Sequence, residues 1–352
     1  MLAGLGGAAI AGFAGCSSGQ GDAAETTESG SETVRAAFIY NTNIGDLGWT
    51  YAHEQGRKRV SEEFDWVETA YTESVAPADV ERVLRQYTND GYDVIYGCTF
   101  DYMDPMLKVA SENPDTIYEH CAGYQTSENM GRYFGRVYEP RYLSGVAAAH
   151  LTESDTLGFV GAFPITQVIR GINAFALGAF SVNPELDIDI QYVNSWYDPP
   201  SEEQAAQTLI DNGADVITQH QNSPAPVRAA ASSDVWSIGF NAPMGEYGGE
   251  TYATSPIWAW DAFYGQSLQK VRNDEWSADF DWGGIEDGYV GLDKFNSNVP
   301  DEVVSAVEDA QSSLESDGGG VWSGSKFADS DDAFLFQEMA SYVDGIDATV
   351  PE

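Results

Sequence analysis

The chain has 352 residues, of which 56 are Asp or Glu and 16 are Lys or Arg, so its formal net charge is −40. With 43% hydrophobic and 12% aromatic residues it can still bury a core, which excludes an intrinsically disordered chain. A field this negative repels nucleic acid and anionic membrane surfaces. Because salt at 1 M shortens the Debye length to about 3 Å and screens the self-repulsion, the charge predicts a protein of a halophilic microorganism.

Residues 1–16 have the pattern of a lipoprotein export signal. An apolar run from Leu2 to Gly15 ends at Cys16, which is placed to carry a lipid. The run is shorter than the roughly 20 residues that span a bilayer. The alternative is a short buried helix that ends in a chance cysteine. No Lys or Arg precedes the run, so we expect the true translation start to lie upstream of Met1.

Residues 17–33 are rich in Gly, Ser, Thr and Glu and predict a flexible acidic tether. After the tether, strand and helix patterns alternate. The predicted strands are Val34–Tyr40, Trp66–Tyr71, Asp93–Cys98, Thr116–Cys121, Thr156–Ala162, Ile188–Asn194, Ala214–Gln219 and Val235–Phe240. The predicted helices are Trp49–Phe64, Pro77–Asp90, Asp104–Glu112, Arg141–Leu151, Gln167–Val182, Ser201–Asn212 and Ala225–Ser232. The alternation predicts an α/β fold with parallel sheets covered by helices on both faces.

The strands are too many for one open sheet, so we expect two doubly wound lobes joined by a hinge. The first lobe is predicted to comprise residues 34–153 and 252–280, and the second lobe residues 154–251 and 281–352. In such folds a ligand binds in the crevice outside the carboxyl ends of the strands. The residues that follow each strand are therefore the candidates for a binding site.

The first predicted strand leads into a loop that carries Gly45, Asp46, Gly48 and Trp49. The glycines permit close approach of the backbone to a ligand, Asp46 can accept a hydrogen bond, and Trp49 offers a flat face. The same residues also fit a tight turn in which Asp46 is the N-cap of the next helix and Trp49 packs in the core. Residue spacing leaves both interpretations open.

The later strands end in aromatic and amide side chains. Candidate ligand contacts at these ends are Phe100, Tyr102, Phe163, Trp196, Gln221, Asn241 and Trp258. Such a wall suits a flat, neutral, hydrogen-bonding ligand that lies between rings. A phosphate is disfavoured, because these ends carry neither a glycine-rich nest nor a lysine.

Cys98 and Cys121 fall at the ends of two predicted strands. Neighbouring parallel strands could bring the two residues within bridging distance, and a disulfide is plausible outside the cell. Two buried free thiols are the alternative, and the sequence leaves both open.

The search for catalytic and metal-binding patterns predicts no enzyme, no metal and no cofactor. The sequence has no Gly-x-Ser-x-Gly elbow and no Cys–His pair at a recognisable spacing. Its four histidines are scattered, without the spacing of a zinc site. Only His220, which follows a strand, is a candidate for hydrogen bonding in the cleft.

Several stretches resemble a known family. The first runs from Gly45 to Arg57 and reads GDLGWTYAHEQGR. Other matching stretches are Phe100–Pro105, Tyr138–Gly145, Phe163–Ile165, Val168–Phe175 and Gly213–Ala225. Together they resemble the basic membrane protein family of ABC-transporter substrate-binding lipoproteins, and most closely its Med-like branch.

The resemblance extends from about Val34 to the C terminus. It implies the fold of a type I periplasmic binding protein and a purine nucleoside or nucleobase as the ligand. It further implies that Asp46 bonds the purine and that Trp49 stacks on it. Further walls are implied at Phe100, Tyr102, Phe163 and Trp196.

The chain departs from the family pattern where ribose would be held. Nucleoside-binding members carry an Asp after the strand that matches Val235–Phe240 and a Lys in the segment that matches Ser255–Trp258. This sequence has neither, and reads Asn241 at the first place and Ile257-Trp258 at the second. We therefore favour a free nucleobase or a related flat heterocycle, with a nucleoside as the alternative.

The sequence thus predicts an extracellular solute-binding protein that is lipid-anchored to the cytoplasmic membrane. Its predicted partners are a small purine-type ligand and the permease and ATPase subunits of an ABC importer, and the lobes are expected to close over the ligand about the hinge. A sensor of the same fold that presents its ligand-bound form to a membrane signalling partner is the main alternative. A nucleoside hydrolase is disfavoured because a catalytic constellation is missing. A DNA-binding repressor is disfavoured by the charge and by the lack of a helix-turn-helix before the first lobe.

Overall fold

The structure of the protein is a computed structural model that describes residues 33–316 and 320–351. Cys16, the predicted signal and all but the last residue of the predicted tether lie outside the described residues. Within them, none of the helices is both long and apolar enough to cross a membrane.

Strands and helices alternate along the chain, as the sequence predicts. The strands are β1 Val34–Ile39, β2 Val67–Thr72, β3 Val94–Gly97, β4 Ile117–Cys121, β5 Met130–Gly135, β6 Thr156–Gly161, β7 Asp187–Tyr192, β8 Val216–His220, β9 Trp236–Ile238, β10 Tyr252–Thr254, β11 Pro256–Trp258, β12 Phe280–Gly283 and β13 Val290–Leu292. The helices are α1 Trp49–Glu63, α2 Val80–Asn89, α3 Met103–Glu112, α4 Tyr138–Leu151, α5 Thr166–Val182, α6 Pro199–Asp211, α7 Ala225–Ser232, α8 Gly245–Gly248, α9 Trp260–Arg272, α10 Asp301–Ser316 and α11 Asp332–Gln337.

The strands form two parallel sheets, which confirms the predicted α/β fold. The first sheet has the order β12-β5-β4-β3-β1-β2 and the second the order β10-β9-β8-β6-β7. All pairs within these two sheets are parallel. A third, antiparallel pair joins β11 to β13. In each parallel sheet the carboxyl ends of the strands therefore meet along one edge.

Two strands after residue 250 show how the chain passes between the sheets. The prediction placed residues 252–280 in the first lobe, but β10 pairs with β9 in the second sheet. The reason is that α8 and a short 3₁₀ turn, Gly249–Thr251, lead the chain from the end of β9 back to its side. Conversely, β12 pairs with β5 in the first sheet, although the prediction placed residues 281–352 in the second lobe. The remaining lobe boundaries stay a prediction.

The core is built by strands whose two faces are both covered. In β1, Phe38 packs in one hydrophobic cluster and its neighbours Ala37 and Ile39 pack in another. Successive side chains of a strand point to opposite faces, so this division requires helices on both sides of the first sheet. All four residues of β3 and all five of β8 are buried. Both strands lie inside their sheets rather than at an edge.

Helices α4 and α5 pack unusually close together. A Cβ at Gly145 of α4 would overlap the carbonyl oxygen of Phe175, and a Cβ at Gly178 of α5 would overlap the carbonyl oxygen of Tyr142. Each helix thus presents a glycine to the backbone of the other. α4 follows β5 of the first sheet and α5 follows β6 of the second sheet. The contact between these helices therefore joins the parts of the chain that form the two sheets.

Glu119, in β4, is a buried carboxyl group that sets a pH dependence. Its Oε1 accepts hydrogen bonds from Trp276 Nε1 at 2.7 Å and from Ser267 Oγ at 3.2 Å. Burial nevertheless raises the pKa of Glu119 to about 7, above the 4.5 of an ordinary glutamate. The unfolded chain therefore loses this proton at lower pH than the folded chain does. It follows that this group makes the free energy of unfolding fall as pH rises from about 4.5 to about 7.

We expect Glu119→Gln to remove this loss, because a neutral amide keeps an oxygen for both donors. Relative to the wild type, the variant should be more stable at pH 8 by up to about 3 kcal/mol and nearly equal in stability at pH 4.5. Urea unfolding at the two pH values in molar KCl measures the difference. Glu62→Gln, at an exposed position of α1, is the matched control. An equal gain at both pH values would show that ionisation of Glu119 is not the cause.

Candidate ligand-binding site

The loop before α1 carries the first predicted contacts. Gly48 is the N-cap of α1, so the alternative that made Asp46 the cap is wrong. Asp46 is exposed and Trp49 is half-buried. The Trp49 indole donates from Nε1 to the carbonyl oxygen of Cys98 at 2.8 Å, which ties it to the carboxyl end of β3. Trp49 thus lies across two neighbouring strand ends of the first sheet, with Asp46 in solvent beside it.

Two aromatic rings stand at other strand ends of the first sheet. Phe100, after β3, is 54% exposed, and Tyr124, after β4, is 41% exposed. Their ring centroids are 5.9 Å apart. Single exposed apolar side chains are ordinary on a protein surface, but here two exposed rings lie together as a pair. Tyr124 was missed in the sequence, although it follows a strand as the other candidates do.

A second aromatic pair stands at the strand ends of the second sheet. Phe163 follows β6 and Trp196 follows β7, and their centroids are 5.3 Å apart at an interplanar angle of 60°. Trp196 is 39% exposed. The Asn222 backbone N–H, after β8, donates to the Trp196 carbonyl oxygen at 3.1 Å. Each sheet thus presents a partly exposed pair of rings at its carboxyl edge.

The two carboxyl edges face one another. Asn222 Oδ1 accepts a hydrogen bond from the Trp49 backbone N–H at 3.1 Å. Asn222 is also hydrogen-bonded to the backbone of Trp196, and Trp49 is hydrogen-bonded to the end of β3, just before Phe100. A continuous series of contacts therefore connects the ring pair of the first sheet to that of the second. The predicted candidates Gly45, Asp46, Trp49, Phe100, Phe163 and Trp196 therefore lie along this chain of contacts or beside it. The sequence missed Asn222, which lies next to the candidate Gln221.

Two predicted ring contacts prove to be core residues. Tyr102 is fully buried, and its hydroxyl donates to the Val75 carbonyl oxygen at 2.5 Å. Phe100–Tyr102 forms a 3₁₀ turn, which directs Phe100 outward and Tyr102 inward. Trp258 is also buried, and it stacks on Trp260 at 4.8 Å between centroids. Both side chains support the site from behind rather than line it.

Two predicted amide contacts are buried as well. Asn241 Nδ2 donates to Asn222 Oδ1 at 2.8 Å, and Asn241 Oδ1 accepts from Trp258 Nε1 at 2.7 Å, so this side chain is committed within the protein. Gln221 differs, because neither its amide nitrogen nor its amide oxygen has a hydrogen-bond partner within the described part of the chain. A buried amide without partners is costly, so Gln221 has free capacity for a polar ligand.

His220 lies in a buried polar cluster below the second ring pair. Its ring centroid is 4.2 Å from that of Phe240, and the Arg141 guanidinium carbon lies 4.0 Å over the same Phe240 ring. Burial, then the nearby Arg141 and Arg170, hold the pKa of His220 well below its usual value, so the imidazole is neutral. Burial lowers the pKa of Arg141 to about 9, so it stays positive at neutral pH. The floor of this region is therefore polar, with a neutral imidazole and a positive guanidinium on either side of Phe240.

Within residues 33–316 and 320–351, no three His, Cys, Asp or Glu side chains lie together as metal ligands.

The disulfide that the sequence allowed is not formed. Cys98 and Cys121 are both free and buried. Cys98 Sγ lies 3.7 Å from the hydroxyls of Tyr133 and Tyr264, and Cys121 Sγ lies 3.9 Å from His53 Nε2. Each sulfur thus faces aromatic side chains of the packed core. The second of the two alternatives, buried free thiols, is the one the structure shows.

Burial raises the pKa of Cys98 to about 12 and also raises that of Cys121 well above its usual value. In a Cys16→Ser background we therefore expect no reaction of the folded protein with Ellman's reagent at pH 8, since the thiolate is the reactive form. Unfolding in urea without reductant should release both thiols. Absorbance at 412 nm counts them. An unfolded protein that releases none would show that a disulfide forms after all.

Two parallel α/β sheets that meet at their carboxyl edges form a fold that solved solute-binding proteins share. An ABC transporter solute-binding protein from Conexibacter woesei has the same fold, with a TM-score of 0.71 over 81% of this chain and 97% of its own, at 23% identity. Residues 33–319 match the family model Bmp, described as PnrA-like ABC transporter substrate-binding protein. The chain belongs to this family, which confirms the resemblance found in the sequence.

Two relatives are similar over most of their length. A protein from Haloferax volcanii named "Putative ABC transporter glucose-binding protein" is 53% identical over 93% of this chain and 85% of its own. A purine-binding protein from Brucella abortus is 38% identical over 81% of this chain and 82% of its own. The protein is accordingly an ABC transporter substrate-binding protein, of a family that binds small solutes outside the cytoplasm and works with a permease and an ATPase rather than as an enzyme.

Proposed function

We propose that this protein captures a flat, neutral, purine-type heterocycle between its two lobes and delivers it to an ABC importer while anchored by lipid at Cys16. The observation that carries the proposal is the pair of exposed rings at the carboxyl edge of each sheet. Phe100 with Tyr124 and Phe163 with Trp196 offer flat apolar faces from both sides. A planar heterocycle between such faces gains burial and stacking on both.

The proposed lobes comprise residues 34–153 and 154–251, with the chain after residue 251 shared between them. Hinge closure would bring the ring pairs together over the ligand. Asp46 and the unpartnered amide of Gln221 would supply hydrogen bonds to the ring edge. These polar contacts orient the ligand, whereas most of the affinity comes from the buried ring faces.

The structure favours a free nucleobase over a nucleoside. Asn241 stands where nucleoside-binding members carry an Asp. Its amide nitrogen donates to Asn222 and its amide oxygen accepts from Trp258. It therefore has little capacity left for ribose hydroxyls. A purine as the ligand class is supported by the name of the 38% identical Brucella relative, a purine-binding protein.

A hexose is the second candidate, because the name of the Haloferax relative includes glucose and that relative is 53% identical to this chain. Aromatic faces also suit the apolar face of a sugar ring. A sugar needs many more polar partners than a nucleobase, however, since each buried hydroxyl must be satisfied. The exposed candidates at the two edges are mostly rings.

Isothermal titration calorimetry in molar KCl distinguishes these ligands. We expect heat and saturable binding with one of adenine, guanine, hypoxanthine or xanthine, weaker binding of the matching nucleoside, and none with glucose. Ribose alone is the control for a sugar contribution to nucleoside binding. Tight binding of glucose without binding of any base would replace the purine proposal with the hexose candidate.

A further inference from the structure

Asn222 lies at the junction of the two carboxyl edges and bonds to both. It follows β8 in the second sheet, and its Oδ1 accepts from the backbone N–H of Trp49, the first residue of α1. The same oxygen accepts from Asn241 Nδ2. Every atom of this bridge belongs to the chain, so the bridge needs no ligand to form.

The bridge provides α1 with the N-terminal cap that its own sequence lacks. The first N–H groups of a helix lack partners within the helix, and a side chain usually caps them. The cap residue of α1 is Gly48, which has no side chain, and no acid lies in the first turn. Asn222 therefore caps α1 from the other sheet.

Gly48 is shaped for this contact. Its φ of +92° is one that residues with side chains rarely adopt, and a Cβ there would lie 2.9 Å from the Asn222 carbonyl oxygen and 3.1 Å from its Cβ. The approach of the two edges thus depends on the absence of a side chain at Gly48. Gly45, three residues earlier, also has a positive φ of +59°, but a Cβ there would touch only Leu47 of its own loop.

The orientation of every amide in the bridge is fixed. The indole N–H of Trp258 can only donate, so Asn241 must present its oxygen to Trp258 and its nitrogen to Asn222. Asn222 must then present its oxygen, which is what the Trp49 N–H also requires. The two hydrogen bonds hold the Asn241 side chain in place, on a backbone with a positive φ of +68°. One consistent chain of donors and acceptors links Trp258 to α1.

We propose that Asn222 is a positioning residue that latches the second lobe to the N terminus of α1 and so sets how much of the protein is closed before ligand arrives. Opening the lobes leaves the Trp49 N–H to water and closing them restores its bond to Asn222 Oδ1, whereas the bond from Asn241 lies within the second lobe and persists in both states. Because Asn222 also holds Trp196, the latch closes where the ligand is captured. The inference rests on the proposed function for the position of the ligand, and its first test uses none.

Two substitutions of Asn222 separate the latch from general packing. Asn222→Ala removes the acceptor, whereas Asn222→Asp keeps an oxygen for both donors and places a negative charge at a helix N terminus, where it is favourable. Spin labels at Arg82→Cys on α2 and Gln204→Cys on α6, both exposed positions, report the distance between lobes in a Cys16→Ser background. Pulsed dipolar EPR is recorded on the full chain without ligand.

We expect Asn222→Ala to lower the closed-to-open ratio about two- to tenfold, as the loss of the one hydrogen bond between the lobes predicts, and Asn222→Asp to keep the wild-type distribution. Circular dichroism confirms that each variant is folded. An Asn222→Ala distribution equal to that of the wild type would overturn the proposal, and so would an Asn222→Asp protein as open as Asn222→Ala.

Gly48→Ala and Gly45→Ala provide an independent test. Both place a side chain at a positive φ, but only the first intrudes on Asn222. Gly48→Ala should open the lobes as Asn222→Ala does, and Gly45→Ala should leave them as in the wild type. Equal distributions for the two variants would mean that backbone strain, and not the contact between lobes, controls closure.

Ligand binding then shows how the latch is used. If a base binds the wild type, the Kd of Asn222→Ala for that base should be higher than the wild-type Kd. The ratio of the two Kd values should be about the factor by which the closed fraction falls in the variant. A distance shift in Asn222→Ala without binding of any purine would leave the latch standing and contradict the proposed ligand. Purine binding with no distance shift in Asn222→Ala would support the proposed ligand and contradict the latch.

Discussion

Trp196→Ala is expected to raise the Kd for the purine-type ligand at least tenfold. Burial of a large apolar side chain against a ligand contributes about 1.5–3 kcal/mol, and each 1.4 kcal/mol is tenfold in Kd. Trp196 is the more exposed member of its pair; its ring packs against Phe163 and its backbone carbonyl accepts from the Asn222 N–H. It can therefore cover a ligand without rearrangement. Calorimetry in molar KCl measures the change.

Trp236→Ala is the matched control. Trp236 is a half-buried tryptophan of the same sheet as Trp196. It is the first residue of β9 and therefore lies at the amino edge of the second sheet, away from the ring pairs. Its loss should leave the Kd unchanged within twofold. If both variants weaken binding equally, the effect comes from reduced stability of the second lobe, and Trp196 is not a ligand contact.

Gly178→Ala is expected to destabilise the fold by about 3 kcal/mol, the upper end for overpacking. The added Cβ would overlap the Tyr142 carbonyl oxygen, which belongs to the backbone of α4 and cannot turn away as a side chain can. The reciprocal contact of Gly145 with the Phe175 carbonyl oxygen prevents the helices from sliding to make room. Urea unfolding in molar KCl measures the loss.

Gly291→Ala, in β13, is the control for this substitution. A Cβ at Gly291 would have no atom of residues 33–316 or 320–351 within 4 Å, so the change should be small. Relaxation of α4 and α5 with a loss below about 1 kcal/mol at Gly178 would show that their close approach is not required.

Much of the fold follows from strand and helix periodicity. The predicted strand Val34–Tyr40 is β1 to within one residue, and the predicted helix Ala225–Ser232 is α7 without change. The strand β5, Met130–Gly135, was not predicted, because glycines at both ends and an arginine in its interior obscure the apolar alternation. This strand is buried because it pairs with β4 on one side and β12 on the other, and these pairings cannot be read from its own sequence.

The place of the candidate site follows from the sequence more directly than its side chains do. The rule that ligands bind at the carboxyl ends of parallel strands selects the loops that carry the ring pairs. Within a loop, however, local backbone geometry decides which side chain points outward. It turns Tyr102 into the core two residues after the exposed Phe100, and it commits Asn241 to Trp258. Asn222 was missed for a different reason, because its partner Trp49 is distant in sequence and only the approach of the two sheets brings them together.

A crystal structure of the complex with the base that binds most tightly, grown from molar salt, tests the central claim most directly. The account predicts the ligand ring between the pair Phe100 and Tyr124 and the pair Phe163 and Trp196, with the Gln221 amide on its polar edge. A ligand bound away from both pairs, or held between them by its sugar with the base in solvent, would contradict it.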